Sequence, residues 1–395
     1  MADAADHKLT MPPALARKLL VVAGEMSGDM YLAPLTRRLG QLLPGVAFEG
    51  VGGPRAREAG VKTLYDISQM SSVGLTHALQ RLSFYRGALR DLAGRLSNGD
   101  YDGVILVDFP DFNLRVAKAA DDAGVPVFYY VCPQFWAWRR WRLTAVRERV
   151  DMMLVVFPFE EEFYLKRGIR AHFVGHPLLD DMPPPENREQ SRARFGLDEK
   201  RTALGLLPGS RESEVKRMLP VMLDAVKLIR ASKPVRALIG CADSIDPALI
   251  QSLLREANEE AVIARGATWE LMRACDFLIC KSGTSTLQAA LAGTPMLVVY
   301  RADVVSYWLA KALSHVKHAA LPNLLAGREI VPELLQGNMT PRGIAAAALP
   351  YLTGPALRDA MRRELVKVGQ GLGQPGAANR AADLIARYLR DFRRT

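Results

Sequence analysis

The sequence predicts an α/β protein built from two doubly wound parallel sheets in series and closed by a helical C-terminal segment. Three observations predict it. Continuous Val/Ile/Leu runs, the mark of parallel strands buried on both faces, alternate with segments of helical period. The runs fall into two series: 19–23, 47–51, 103–107, 125–131 and 152–157, then 203–207, 235–239, 262–264, 277–280 and 296–300. Between the series, Met182-Pro-Pro-Pro-Glu-Asn187 breaks the alternation, and its prolines mark a linker. The predicted domains are therefore 1–185 and 186–345, followed by helices over 346–395 that pack back across them; the chain turns Ala/Arg/Leu-rich from about Pro341.

Composition narrows the function classes. At 395 residues, 49% hydrophobic and 24% charged, the chain is long enough for two cores and too long for one ordinary domain. No apolar stretch approaches the roughly 18 to 20 residues that span a bilayer. The run 19–22 after Arg17-Lys18 is too short for a secretory leader and lacks a small-residue cleavage pattern, so a cytoplasmic location is expected. Lys plus Arg exceed Asp plus Glu by 52 to 42, and this +10 favours anionic partners: phosphorylated substrates, acidic lipid surfaces or nucleic acid. Cys132, Cys241, Cys275 and Cys280 show neither C-x-x-C spacing nor companion histidines and read as core thiols. The stretch 371–376 formally matches G-x-G-x-x-G but follows a helical pattern, not a strand, and reads as a loop.

In doubly wound sheets, ligands bind beyond the carboxyl ends of the strands. Two such domains without a Walker A sequence predict a ligand held in a crevice between the carboxyl ends of both sheets. After the first strand, AGEMSGD (23–29) offers turn glycines at 24 and 28 and a carboxylate at Glu25, while Ser27 and Asp29 are either ligand-facing or plain helix caps. The run 103–107 leads into VDFPDFNL (107–114), where Asp108 and Asp111 flank a Phe-Pro step. A carboxylate there can take a proton from a substrate hydroxyl as general base. Pro110 fixes the turn, Asn113 can position a ligand, and Asp111 is alternatively a cap for the helix that follows. Asp102, just before this strand, reads as structural.

Past 125–131, tryptophans and arginines interleave in YYVCPQFWAWRRWR (129–142). Such a segment can stack bases, line a sugar site or meet a lipid interface, and Trp136 and Trp138 can equally pack beneath the loop. Leu82, Tyr85, Leu89, Leu92 and Leu96 form a helical stripe amid Arg81, Arg86, Arg90 and Arg95. That helix either covers a sheet or lies on an anionic membrane. His176 ends another strand, as a structural histidine or a crevice ligand. In the second series, LPGSR (207–211) brings backbone amides, Ser210 and Arg211 toward phosphate oxygens, although Arg211 could be a surface ion-pair partner. KSGTST (281–286) opens a helix after a strand and offers unpaired N–H groups and a dipole end to a diphosphate.

These motifs occur in order along nearly the whole chain: AGEMSGD, VDFPDFNL, YYVCPQFWAWR (129–139), FPFEEEFY (157–164), VGHPLLD (174–180), LLPGSRESEV (206–215), KSGTSTLQAALAGTPM (281–296) and LPNLLAGREIVPELLQ (321–336). The ordered set resembles the lipid A disaccharide synthases, inverting glycosyltransferases of bacterial outer-membrane biogenesis. The resemblance implies the GT-B fold, two Rossmann-like domains facing across a cleft. It implies transfer of diacylglucosamine from UDP-2,3-diacylglucosamine to the 6-hydroxyl of 2,3-diacylglucosamine 1-phosphate, giving a β-1,6 disaccharide 1-phosphate and UDP. No metal or cofactor is implied. Carried onto this chain, Asp111 is the base, with Asp108 and Glu25 beside it on the acceptor side. Arg211 and the Ser282-Gly283-Thr284 turn hold the UDP diphosphate. Ser27, Asn113, Trp136, Arg139, His176, Ser210, Gln288 and Asn323 complete the implied substrate-binding set. Gln288 departs from an expected glutamate, His77 from an acidic residue and Cys132 from a serine. The acyl substrates imply a peripheral position on the cytoplasmic face of the inner membrane, and a homo-oligomer is left open. Two other readings stand beside this one: a UDP-sugar epimerase on the same architecture, and a basic RNA-binding protein, which lacks any recognised nucleic-acid motif.

Overall fold

The computed structural model describes residues 17–71, 78–133, 135–136, 140–184, 186–198, 201–301 and 318–392. They form two compact units, one from residues 17–136, 140–180 and 374–392, the other from 181–373.

In the first unit the elements run β1 (Lys18–Ala23), α1 (Met26–Leu42), β2 (Ala47–Gly52), α2 (Pro54–Glu58), β3 (Lys62–Asp66), α3 (Ile67–Ser71), α4 (Ala78–Ser97), β4 (Gly103–Val107), α5 (Pro110–Asp122), β5 (Val127–Tyr130), α6 (Arg142–Arg149), β6 (Met152–Val155), α7 (Pro158–Leu165) and β7 (Ala171–Phe173). The strands form one parallel sheet in the order β3-β2-β1-β4-β5-β6-β7. Its central strands β4, β5 and β6 are buried end to end and β1 from Leu19 onward, which is why they read as unbroken apolar runs. The edge strands β3 and β7 are half-buried and carry Lys62, Asp66 and His172, so no apolar run announces them. Leu92 and Leu96 of α4 are buried while Arg86 and Arg90 are exposed, so the leucine stripe covers the sheet. The C-terminal helix, Ala377–Asp391, packs on α1. Its Tyr388 sets an edge against Phe128 at 5.2 Å and donates to Asp151 Oδ1 at 2.8 Å. At the amino edge, buried Glu49 accepts from Tyr101 Oη at 2.7 Å and pairs with Lys18 at 2.7 Å, Lys62 at 3.4 Å and Arg95 at 3.5 Å.

The second unit contains α8 (Arg188–Arg194), β8 (Thr202–Leu207), α9 (Glu212–Arg230), β9 (Val235–Cys241), α10 (Pro247–Glu256), β10 (Val262–Arg265), α11 (Thr268–Ala274), β11 (Phe277–Lys281), α12 (Thr284–Leu291), β12 (Met296–Tyr300), α13 (Leu321–Ala326), β13 (Glu333–Leu335), α14 (Pro341–Thr353) and α15 (Pro355–Gln370). Its parallel sheet has the order β10-β9-β8-β11-β12-β13. Helix α14 packs on α9, and α15 on α12. The four cysteines are free and buried. Between α15 and the C-terminal helix, Gly373 and Gly376 take positive φ of 92° and 97°, so the glycine-rich stretch is a connecting loop.

Each sheet reverses its strand order once, between β1 and β4 in the first and between β8 and β11 in the second. At such a switch point the two connections leave toward opposite faces and open a crevice beyond the carboxyl ends.

Candidate functional site

The switch point of the first sheet places AGEMSGD beside VDFPDFN. Ala23 and Val107, the last residues of β1 and β4, lie opposite one another in register. Gly24 has no room for a side chain: a Cβ there would lie 2.2 Å from the Phe109 ring. Glu25, half-buried, occupies the N-cap position of α1, and Ser27 sits in its first turn instead of capping it. Asp29 does cap, but in trans. It is fully buried and accepts from the backbone amides of Gly53 at 2.7 Å and Ala56 and Arg55 at 3.0 Å, fixing the start of α2.

The acidic loop itself is backbone-strained. Asp108 and Phe109 have φ of 47° and 50°, and Val131, past the neighbouring β5, has 51°. Such conformations cost a non-glycine residue on the order of 1 kcal/mol or more. The neighbours that hold them are buried: Tyr129 Oη and Asn113 Nδ2 both donate to the Asp108 carbonyl at 2.7 Å. Asn113 also reaches the Val107 carbonyl at 3.2 Å and is wholly inaccessible, so it braces the loop and does not face a ligand. Asp111 is not the N-cap of α5; that position belongs to Phe109, behind Pro110. Its carboxylate lies in the first turn, where the helix dipole favours negative charge, two-thirds exposed and paired with Arg142. Asp102 accepts from the Lys18 amide at 2.9 Å, a structural contact.

Along the same carboxyl edge, Trp136 donates through Nε1 to Glu160 at 2.8 Å and meets the Phe159 ring at 4.8 Å. Glu160 is fully buried and also accepts from the amides of Phe157 at 3.1 Å and Val156 at 3.2 Å. Burial pushes its carboxyl up to about 7 against the three donors. His176 is buried, accepts from the Leu178 amide at 3.2 Å and lies against Phe157 and Tyr31. Burial lowers it to about 3, so the ring is neutral, with Nδ1 engaged by the backbone. Arg139, Trp138 and His77 lie outside the described residues. Cys132 is buried, with Sγ 3.2 Å from the Tyr129 carbonyl.

In the second sheet the switch point brings LPGSR together with KSGTST, with Leu207 and Cys280 in register. Glu214, which the sequence reading missed, ties the two loops. It accepts from the Ser210 amide at 3.2 Å, pairs with Lys281 at 2.9 Å and approaches Arg211 at 3.7 Å. Gly209, at φ 127°, makes this fold possible, because a Cβ would strike the Glu214 carboxylate at 2.4 Å. Ser210 and Arg211 are exposed, and Arg211 is the N-cap residue of α9. Ser282 donates its hydroxyl to the Ala319 carbonyl at 2.8 Å, Gly283 takes φ 149°, and Thr284 opens α12. The first N–H groups of a helix have no intrahelical acceptor, so this turn presents donors and a positive dipole end beside two cations. Gln288 lies half-buried one turn further on. Asn323 is different. Its Nδ2 donates to the Val331 carbonyl and to Glu333, its Oδ1 accepts from the amides of Ile330 and Val331, and it is fully buried, so its polar atoms are spent on the fold. Among the described residues no group of His, Cys, Asp and Glu could hold a metal ion.

A paired-carboxylate loop on one sheet and a cation-flanked helix N-terminus on the other suit proton removal and diphosphate binding respectively. The family model for lipid-A-disaccharide synthetase matches residues 19–382. The chain belongs to that family. Lipid-A-disaccharide synthase of Geobacter metallireducens is 40% identical over 96% of this chain and 99% of its own. That of Syntrophus aciditrophicus is 41% identical over 93% and 96%, and that of Myxococcus xanthus 40% over 96% and 99%. The protein is thus a glycosyltransferase. Among solved structures, MurG of Acinetobacter baumannii aligns with TM-score 0.57 and 15% identity over 94% of this chain and 99% of its own. The UDP-GlcNAc 2-epimerase of Neisseria meningitidis aligns at 0.62 and 16% over 94% and 100%. Likenesses this distant share the fold alone, which is GT-B. Neither the epimerase nor the RNA-binding reading is favoured, because the sequence relatives at about 40% identity carry one activity.

Proposed function

We propose that the protein transfers 2,3-diacylglucosamine from UDP-2,3-diacylglucosamine to the 6-hydroxyl of 2,3-diacylglucosamine 1-phosphate, with inversion, forming the β-1,6 disaccharide 1-phosphate of lipid A biosynthesis and releasing UDP. The observation that carries the reading is the accessible Asp111 carboxylate at the switch point of the first sheet, in a family whose relatives make this disaccharide. Asp111 takes the proton of the acceptor hydroxyl as its oxygen bonds to the anomeric carbon. The bond from that carbon to the diphosphate breaks, and the electron pair leaves with UDP. Arg211, Ser210 and the turn Ser282-Gly283-Thr284 hold the diphosphate and offset the charge that grows on it, with Gln288 near the nucleotide. Glu25, Asp108, Ser27 and Trp136 shape the acceptor side. Arg142 orients Asp111 through their ion pair. The enzyme works on the cytoplasmic face of the inner membrane, held there peripherally; exposed Arg86 and Arg90 of α4 suit anionic headgroups. Among the described residues no helix is long and apolar enough to cross a membrane.

The test has two arms on purified protein with both lipid substrates. Asp111→Asn should lose most turnover, roughly 100-fold or more, with UDP affinity nearly intact. Arg211→Ala should weaken UDP by about tenfold, as expected for a charge-assisted contact. Asp111→Asn that loses turnover and UDP affinity equally, or Arg211→Ala with unchanged affinity, contradicts the corresponding role.

A further inference from the structure

The carbonyl of Asp108 receives two buried donors at 2.7 Å, from residues of two different elements. Tyr129 comes from β5 and is completely inaccessible; Asn113 comes from α5 and is equally buried. Burial, then the charge of Asp108, holds the Tyr129 phenol far above its usual range, so its hydroxyl remains a donor throughout the working pH range. A carbonyl has two lone pairs, and here both are engaged at a residue whose backbone, with that of the next residue, sits in the left-handed region. On the opposite side the Phe109 ring rests where Gly24 lacks a Cβ. Pro110 follows directly and opens α5, so the backbone has few ways to relax between Asp108 and Asp111.

We propose that Tyr129, together with Asn113, is a positioning residue for transfer: the two clamp the Asp108 carbonyl, hold the Asp108–Phe109 step in its strained conformation, and so place the Asp108 and Asp111 carboxylates for the acceptor hydroxyl. This rests on the acidic loop being the proton-accepting side, as set out above. The two side chains meet at the carbonyl within the strained step, and Asn113 Nδ2 also lies 3.2 Å from the Val107 carbonyl and 3.5 Å from that of Val22, which ties the step to the ends of β4 and β1. Neither Tyr129 nor Asn113 touches the substrate; each acts through the backbone.

The experiment is a double-mutant cycle on the full chain with both lipid substrates, using Tyr129→Phe, Phe109→Gly and the double variant. It reads kcat, KM and UDP affinity below the melting temperature. Tyr129→Phe should lower kcat roughly 10- to 100-fold, because an ångström of misplacement has that effect, with KM for the acceptor and UDP affinity nearly unchanged. Glycine adopts positive φ freely, so in the Phe109→Gly background the loss of the hydroxyl should matter several-fold less. Wild-type kcat in Tyr129→Phe overturns the proposal. So does a full product-of-singles loss in the double variant, which would make the hydroxyl independent of the strained step. Asp111→Asn separates the two readings. If it retains turnover while Tyr129→Phe does not, the base assignment falls and the clamp stands; the reverse pattern removes the clamp alone.

Discussion

Substituting Gly24 by alanine tests whether the carboxyl end of β1 is shaped by the ring of Phe109. The added Cβ would lie 2.2, 2.4 and 2.6 Å from three atoms of that ring. Carbon atoms rest about 3.5–4.0 Å apart, so the ring must retreat by more than an ångström. It has little freedom to do so. Phe109 sits at φ 50°, packed at 5.8 Å from Phe112 and 6.1 Å from Tyr85. Overpacking of this kind costs about 1–3 kcal/mol. For a unit of this size each kcal/mol moves the melting temperature by roughly 2–4 °C. Because the displaced ring belongs to the residue between Asp108 and Pro110, turnover should fall about 100-fold as well. Gly40 supplies the control: it lies exposed in α1 with nothing within 4 Å of an added Cβ. Alanine there should stabilise by about 0.5–1 kcal/mol without touching turnover. The assay is thermal unfolding alongside UDP release for both variants. Gly24→Ala that melts and turns over like wild type would refute the packing argument.

Three further outcomes follow from charges and surfaces. Burial alone would raise the pKa of Glu49, but hydrogen bonds from Lys18 and Tyr101 and the charges of Lys18 and Lys62 outweigh it and bring the carboxyl to about 2. Its stabilisation is therefore present above its ordinary 4.5 and lost as pH falls toward 2, at most about 3 kcal/mol and less where exposed Lys62 is screened; a Glu49→Gln variant with the same acid unfolding curve as wild type would contradict this. Glu160 has the opposite sign: its folded pKa of about 7 lies above the ordinary 4.5, so its contribution is complete below 4.5 and fades as pH rises through 7, by roughly 3 kcal/mol. Denaturant titrations from pH 5 to 8 should show that decline in wild type and lose it in Glu160→Gln, and parallel curves would count against it. Finally, the protein should sediment with anionic but not neutral vesicles, more weakly at high salt, and failure to do so would remove the peripheral membrane assignment.

How far the sequence discloses such a molecule depends on whether a signal is local. Strands β1, β4, β8 and β11 were legible because both faces of each are covered, which demands an apolar residue at nearly every position. Strands β3 and β13 escaped notice because an edge position asks for partial burial over a few residues, and β7 was marked only by the Val174-Gly175-His176 segment that follows it. The loops at the switch points were equally visible, since Gly, Ser, Asp and Arg following an apolar run are unusual by themselves. What each polar side chain does there was not visible. Asn113, His176 and Asn323 look like ligand contacts by type and place, yet each is engaged within the fold: Asn113 Nδ2 donates to the Asp108 carbonyl, His176 Nδ1 accepts from the Leu178 amide, Asn323 engages Val331 and Glu333, and Asp29 caps a helix that begins 25 residues on. Whether a donor is spent is decided by a partner remote in sequence, and neither composition nor periodicity records it. The same holds for Tyr129 and Glu214, whose roles arise from meeting Asp108 and Lys281.

The two switch points share a topology and differ in where their organisation is stored. In the second sheet the turn needs little strain: glycines at 209 and 283 take the unusual angles, and the amides they expose are themselves the chemical feature, reinforced by Lys281 and Arg211. An anion can be met by backbone donors and a dipole, whose placement is set by the helix. Removing a proton is different, because it needs a side-chain oxygen at a defined point, and a side chain is only as well placed as the backbone beneath it. Glycine at 108 or 109 would relieve the strain but would also free the loop, and at 108 it would delete a carboxylate. The first sheet instead keeps Asp108 and Phe109 at positive φ and secures them with two buried donors and a ring seated on Gly24. Strain retained where a glycine would remove it is what the proposed role requires, a loop that maintains the position of its carboxylates beyond their presence.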